Sequence, residues 1–301
     1  MTFEESLSIR NLEFLAKELV EGFLTGLHKS PFHGYSVEFA EYRNYFKGDS
    51  LKHVDWKLFG RTDKLFVKKF DDETNLRAHF LIDTSGSMYY GNDGVTKMDN
   101  AVQLVAGLLG LFQNQRDAFQ LGFFDEQIQE LTELKSTKYH FQACLGSLEK
   151  WKQEERKGAQ TNLDSVLNEL LPQLKSRSLV VLVADGIGFN SLDRLKSTLG
   201  RFKHARHELM WIQPVFKSEE LELNLPKEPI NLIDLESGTS IKTVPGTDLN
   251  SIASEVLKKQ SDLEELLLSF GLDHHFLDLK EEVNTLFLKI LRKREQILSK
   301  K

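Results

Sequence analysis

The chain has 301 residues, of which 40% are hydrophobic and 28% are charged, a composition typical of a globular protein with a full apolar core. Its formal net charge of −6 disfavours a globally basic protein that binds nucleic acid or a membrane surface. The single cysteine, Cys144, excludes an intramolecular disulfide and a CxxC zinc site.

The chain begins with the acidic sequence MTFEESLSIR, which lacks the apolar core of a signal peptide. Its most apolar stretch, 101–112, is shorter than the about 20 residues that a membrane-spanning helix needs. We therefore expect a soluble, cytoplasmic protein without direct membrane insertion and without a nucleic-acid partner.

Residues 1–76 form the first predicted segment. Apolar residues at helical spacing predict a helix over 11–27. The stretch 32–59 interleaves aromatic with charged residues, and a strand is predicted over 64–70. We expect this segment to pack on a core domain formed by residues 77–301.

From residue 77 onward, predicted strands and helices alternate, interrupted by a hairpin insertion at about 216–247. Strands are predicted over 78–82, 118–124, 127–134, 179–184, 208–213 and 275–279, with the hairpin strands over 230–235 and 240–244. Helices are predicted over 97–115, 139–152, 163–175, 192–202, 249–270 and 282–298. The valine-rich run 179–184 is typical of a parallel strand covered on both faces. The alternation predicts an α/β, doubly wound, mostly parallel sheet.

Polar side chains follow the predicted strand 78–82. Asp83, Ser85 and Ser87 are spaced i, i+2 and i+4, so an extended loop presents all three on one side. Carboxylate and hydroxyl oxygens are ligands of hard cations such as Mg²⁺, and ligands of open α/β sheets bind at the carboxyl ends of strands. The alternative is a strand-to-helix turn whose hydroxyls cap the next helix.

Two further residues would reach the same edge of the sheet. Thr161 lies in a loop just before a predicted helix, and Asp185 follows the strand 179–184. Taken alone, Thr161 is also a candidate helix N-cap, and Asp185-Gly186 is also a candidate turn.

The chain carries a D-x-S-x-S sequence, then a threonine in a loop, and then an aspartate after a central strand. This order resembles the metal-ion-dependent adhesion site of von Willebrand factor A-like domains. The resemblance implies a von Willebrand A-like fold and one bound Mg²⁺, or Mn²⁺, with some ligands direct and some through water. The implied ligands are Asp83, Ser85, Ser87, Thr161 and Asp185. It also implies an open coordination position that a partner carboxylate fills.

Most of the chain, over residues 28–294, resembles the domain-of-unknown-function 58 family. The resemblance rests on Glu38-Phe39-x-x-x-Arg43-x-Tyr45, Gly48-Asp49, Asp55-Trp56, Gly60-Arg61, Leu65-x-Val67-Lys68, Leu232-x-Asp234-Leu235-Glu236-x-Gly238 and Arg292. It implies an adaptor that works with a MoxR-type AAA+ ATPase, often beside membrane-anchored von Willebrand A proteins.

The N-terminal segment carries a set of candidate partner-binding residues. They are Glu38, Arg43, Asp49, Asp55, Trp56 and Arg61. The alternative is that their charges form ion pairs that dock the segment on the core. A scaffold that binds through 38–61 without metal therefore remains an alternative function.

We expect a binding protein rather than an enzyme. Position 85 is Ser, which breaks the DxDx[TV] pattern of haloacid-dehalogenase phosphatases, and the GxxxxGK[ST] and GxSxG motifs are absent from the sequence. A Mg²⁺-dependent phosphohydrolase is the enzymatic alternative. A hypothesis of regulation concerns the loop 89–97, whose Gly91 and Gly94 are candidate hinges that respond to Mg²⁺.

Overall fold

The computed structural model describes residues 3–26, 38–46, 54–71, 76–92, 94–154, 159–175, 177–186, 191–222, 230–233, 240–243 and 247–298. The chain divides into two compact units. The larger unit consists of Met1–Pro31 together with Arg77–Lys301, and the smaller one consists of Phe32–Leu76. The first helix therefore groups with the residues of the α/β alternation.

The described elements follow the predicted alternation. The helices are α1 (Phe3–Gly26), α2 (Trp56–Thr62), α3 (Lys97–Gln115), α4 (Lys138–Gln153), α5 (Leu163–Leu170), α6 (Leu192–His204), α7 (Thr247–Phe270) and α8 (Val283–Leu298). The strands are β1 (Glu38–Asn44), β2 (Phe66–Asp71), β3 (Arg77–Asp83), β4 (Gly91–Asn92), β5 (Val95–Thr96), β6 (Ala118–Phe124), β7 (Ile128–Leu131), β8 (Leu179–Val183), β9 (Glu208–Val215), β10 (Ile230–Ile233), β11 (Ser240–Thr243) and β12 (Asp273–Asp278).

The smaller unit contains an antiparallel pair of strands and one short helix. Strand β1 pairs with β2, with Glu38 opposite Asp71. Helix α2 begins after Asp55, whose Oδ1 accepts hydrogen bonds from the backbone N–H groups of Lys57 and Leu58, both at 3.0 Å. The sequence pattern predicted β2 but neither β1 nor α2, since both lie where aromatic and charged residues alternate without a clear period.

A six-stranded sheet organises the larger unit. Its order is β12-β9-β8-β3-β6-β7, and only the edge strand β7 is antiparallel to its neighbour. Counted along the chain, the six strands lie in the order 3-2-1-4-5-6, the doubly wound arrangement whose direction reverses between β3 and β8. The predicted α/β, doubly wound, mostly parallel sheet is confirmed.

The central strands and helix α3 are covered on all sides. Every residue of β8 is buried, and so are Phe80, Leu81 and Ile82 of β3. Helix α3 is buried nearly all round and packs against α1. Gly107 permits this contact, because a Cβ there would lie 2.6 Å from Leu19 Cδ1 and 3.2 Å from Phe287 Cε2.

Several predicted elements differ from the structure at their ends, and α1 begins at Phe3, eight residues before the predicted helix 11–27. Helix α5 stops at Leu170 and passes into a 3₁₀ turn over Leu171–Gln173, so the predicted helix 163–175 is too long. Pro172 explains the difference, since it has no backbone N–H to continue the helical ladder. In the predicted hairpin, β10 and β11 pair antiparallel from Ile230 opposite Thr243, and the turn 236–239 lies outside the described residues.

Two further findings concern burial and hydropathy. Cys144 is fully buried, and its burial raises the pKa of the thiol to about 12. Within the described ranges, no helix has both the length and the apolar character required to cross a bilayer.

The packing at Gly107 can be tested with Gly107→Leu. The larger side chain has no room against Leu19 and Phe287, so the free energy of unfolding should fall by about 1–3 kcal/mol, as in other overpacked cores. Gly146→Ala is the control, because the nearest atom to its added Cβ is Ile9 Cδ1 at 3.9 Å. That variant should gain up to about 1 kcal/mol from helix propensity. Chemical denaturation measures both, and an unchanged midpoint for Gly107→Leu would contradict the close packing.

Candidate metal centre

The candidate centre lies where the strand order reverses. Asp83 ends β3, and Asp185 follows the neighbouring β8, which pairs with β3 in parallel as far as Ile82 opposite Val183. Two carboxylates therefore leave adjacent strands at the same edge of the sheet. In open α/β sheets this reversal point forms the crevice in which ligands bind.

Thr161 contacts Asp83 directly. Its hydroxyl donates to Asp83, with Oγ1 lying 3.0 Å from Oδ1 and 2.8 Å from Oδ2. Both residues are buried. The N-cap of α5 is the next residue, Asn162, whose Oδ1 accepts a hydrogen bond from Ser165 N at 3.1 Å. The alternative role of Thr161 as a helix cap is therefore wrong.

Ser85 and Ser87 lie on the loop that follows Asp83. Ser85 N donates to Asp83 Oδ1 at 2.8 Å, and the hydroxyl oxygens of the two serines are 3.0 Å apart. The Ser85 side chain makes no capping hydrogen bond to the 3₁₀ turn Gly86–Tyr89 that it precedes. Helix α3 is capped instead by Thr96, so capping does not explain the serine hydroxyls.

Backbone contacts hold these loops together. Thr84 donates twice to the carbonyl of Phe124, from N at 2.7 Å and from Oγ1 at 2.9 Å. Gly86 N donates to the carbonyl of Ala159 at 3.1 Å, which joins the serine loop to the segment carrying Thr161. The geometry around Asp83 therefore depends on the end of β6 as well as on β3.

The turn after β8 is fixed by side chains of β9. Trp211 Nε1 donates to the carbonyl of Ala184 at 2.9 Å, and Gln213 Nε2 donates to the carbonyl of Asp185 at 2.8 Å. Gly186 has a φ of +78°, in the left-handed region that favours glycine, and an added Cβ would lie 3.1 Å from Gln213 Nε2. Asp185 is thus placed by a turn that requires its glycine.

Sequence reasoning missed two charged residues of the centre. Lys97 Nζ lies 3.2 Å from Asp185 Oδ2 and 2.9 Å from Glu220 Oε2, and only 2% of the lysine side chain is exposed. One signal was present, because Lys97 opens a helix and a positive charge there opposes the helix dipole. No sequence pattern indicated that Glu220 belongs to the centre, since its stretch of charged residues is typical of a solvent-exposed turn.

Charges of both signs are buried in the centre. Asp185 and Glu220 contact the ammonium of Lys97, and Asp83 lies near enough to Asp185 for their charges to repel each other. Burial, and then repulsion by Asp185, raise the pKa of Asp83 from 3.8 to about 8, although the hydrogen bonds from Ser85 and Thr161 oppose the rise. Burial lowers the pKa of Lys97, but Asp185 and Glu220 outweigh it and the net shift is upward.

The donor set fits a hard divalent cation. Asp83 and Asp185 supply carboxylate oxygens, and Ser85, Ser87 and Thr161 supply hydroxyl oxygens. Across the described part of the chain, no group of three or more His, Cys, Asp and Glu residues is arranged to hold a metal. A metal in this centre would therefore use hydroxyl oxygens, which suits Mg²⁺ or Mn²⁺.

The structure describes five of the six candidates of the N-terminal segment. Glu38 and Arg43 lie in β1, and Asp55 caps α2. Trp56 is 58% exposed, and Arg61 in the last turn of α2 is also exposed. Asp49 lies outside the described residues.

The buried Asp83 carboxyl predicts a pH dependence in a metal-free buffer. Its folded-state pKa is raised, so the folded protein holds a proton that the unfolded chain releases, and stability falls as pH rises from about 4 to about 8. Thermal unfolding in the presence of a chelator measures this slope. Asp83→Asn removes the titration, so its midpoint should vary less with pH and exceed that of the wild type at pH 8. Equal slopes for the two proteins would contradict the assignment.

Solved structures with a similar fold include BatB from Bacteroides thetaiotaomicron (12% identity, 73% of this chain and 99% of that chain, TM-score 0.45). A von Willebrand factor type A protein from Catenulispora acidiphila (9%, 76% and 43%, TM-score 0.43) and the manganese-loaded TRAP protein of Plasmodium vivax (21%, 47% and 57%, TM-score 0.40) are also similar.

A match to a protein-family model over most of the chain identifies the family. Uncharacterised proteins of Mycobacterium bovis and Mycobacterium tuberculosis are 26% identical over 234 residues, which cover 77% of this chain and 71% of each relative. Residues 41–249, more than half of the chain, match the family described as protein of unknown function DUF58. The chain therefore belongs to the DUF58 family.

Proposed function

We propose that this protein is a non-enzymatic adaptor that binds a divalent cation, Mg²⁺ or Mn²⁺, and uses it to recognise a carboxylate of a protein partner. The observation that carries the proposal is the pair of buried carboxylates, Asp83 and Asp185, beside three hydroxyl groups. Burial and the nearby Asp185 disfavour the ionised form of Asp83. Buried charges are stabilised when they are paired or bind metal, so a bound cation would favour that ionised form.

Each side chain has a distinct role in the proposed site. Asp83 and Asp185 would provide charge, and the hydroxyls of Ser85, Ser87 and Thr161 would provide neutral ligands. Neutral ligands leave positive charge on the ion, and Mg²⁺ keeps water wherever protein ligands are missing. A carboxylate from a partner can replace such a water.

The partner is proposed from the family resemblance. It is a MoxR-type AAA+ ATPase of the cytoplasm, and membrane-anchored von Willebrand A proteins are further candidates. Turnover of a phosphate ester by the wild-type protein in Mg²⁺ would contradict the non-enzymatic proposal.

The smaller unit suggests a second candidate function. Trp56 is 58% exposed, and tryptophan and arginine are enriched where protein partners bind most strongly. A scaffold that binds through this unit would need no metal. Trp56→Ala would then abolish partner binding, and Asp83→Ala would not.

Metal binding is tested first with Thr161→Val. The substitution keeps the side-chain shape but removes the hydroxyl that contacts Asp83, so the affinity for Mg²⁺ and Mn²⁺ should fall by roughly tenfold, the usual effect of losing one supporting group. Isothermal titration calorimetry measures it. Thr198→Val is the control, because Thr198 is also buried but its hydroxyl accepts from Asn168 in the α5–α6 region. Equal affinities for wild type and Thr161→Val would exclude Thr161 from the site.

Partner binding is tested by affinity capture from the native lysate. Wild-type protein in Mg²⁺ should recover a MoxR-type ATPase, and Asp83→Ala or a chelator should abolish that recovery. Glu255→Ala, which removes an exposed carboxylate on α7, should behave as wild type. Recovery of the ATPase by wild type and Asp83→Ala alike would show that the metal site is not the docking site, and Trp56→Ala would then test the second candidate.

A further inference from the structure

We propose that Lys97 is a built-in counter-cation that limits the affinity of the site for divalent ions, and that Glu220 sets this limit by drawing the ammonium away from Asp185. The inference rests on the proposed function, because it concerns the same site. It assigns roles to two residues that lie outside the implied ligand set.

The first support is the position of the ammonium. Lys97 Nζ lies between Asp185 Oδ2 and Glu220 Oε2, at 3.2 and 2.9 Å. Its helix begins at this residue, where the dipole disfavours a positive charge, and its side chain is almost entirely buried. The two carboxylates therefore keep a lysine at a place that is otherwise unfavourable for it.

The second support is the way Glu220 is held. Glu220 belongs to a one-turn π-helix, Lys217–Leu221, that follows β9. Its Oε1 accepts a hydrogen bond from Phe216 N at 3.2 Å, while its Oε2 contacts Lys97. The carboxylate is thus fixed at both oxygens.

The same turn contacts the loop that carries the serines. Tyr90 Oη donates to Glu219 Oε2 at 3.1 Å, and the rings of Tyr90 and Phe216 meet edge to face with centroids 5.4 Å apart. The turn, the loop and Lys97 therefore form one packed cluster beside Asp185. A change in the position of this turn changes how Lys97 is shared between its two carboxylates.

The electrostatic consequence has a definite sign. An ammonium in contact with Asp185 cancels part of the negative charge that attracts a cation, and it repels any cation held by the same carboxylate. Glu220 offsets this repulsion. Removal of the ammonium should therefore strengthen cation binding, whereas removal of the Glu220 charge should weaken it.

The test is calorimetric titration of purified protein with MnCl₂ and with MgCl₂. Lys97→Met keeps the length of the side chain and removes its charge, so the dissociation constant should fall by roughly tenfold. Glu220→Gln should raise it by roughly threefold to tenfold. Lys217→Met and Glu222→Gln are matched controls, because these two residues form an exposed pair on the same turn, with N and O 3.8 Å apart. Both controls should bind as the wild type does.

The outcomes separate the two proposals. A wild-type protein that binds neither ion overturns the proposed function and this inference together. A wild-type protein that binds, with Lys97→Met binding equally or more weakly, overturns only the inference. If thermal unfolding shows that Lys97→Met does not fold, Glu220→Gln decides alone: weaker binding supports the inference, and equal or tighter binding overturns it.

Discussion

Parallel pairing of β3 with β8 brings two carboxylates to adjacent strand ends and buries them, and the surrounding structure compensates for that placement. Asp83 accepts hydrogen bonds from the hydroxyl of Thr161 and from the backbone N–H of Ser85. Asp185 receives the ammonium of Lys97. The contacts of the pair therefore include both hydrogen bonds and an ion pair with a lysine. The burial of two neighbouring carboxylates gives the centre its chemical character.

The compensation is supplied by elements that are themselves held by apolar packing. Lys97 begins α3, and α3 is anchored along its length by α1, α8 and the sheet. The approach of Leu19 to Gly107 belongs to the same anchoring. The packing of α3 therefore positions the ammonium, and the polar centre depends on contacts among apolar side chains.

The sequence allowed much of this to be predicted because the relevant signals are local. An apolar run followed by D-x-S-x-S predicts both the end of a buried strand and the loop after it. The alternation of strands and helices predicts the mostly parallel sheet. Lys97 and Glu220 are in contact although they are 123 positions apart in the sequence, and no periodic sequence pattern indicates this contact. The exposed Trp56 helix was also missed, since α2 is only seven residues long and is defined mainly by the Asp55 cap. Long-range charge pairing is determined by tertiary structure rather than by sequence pattern, and a helix of seven residues is too short to show a clear helical period.

The indole of Trp211 has a consequence for observing the centre. It is fully buried, and its N–H is bonded to the carbonyl of Ala184, one residue before Asp185. Indole emission responds to the electric field and hydrogen bonding at the ring, whereas the exposed Trp56 emits from a watery environment at longer wavelength. Trp151 is buried as well, where it stacks on Phe123, so in a variant that lacks Trp151 the indole of Trp211 becomes an optical probe at the end of β8 that needs no dye or label.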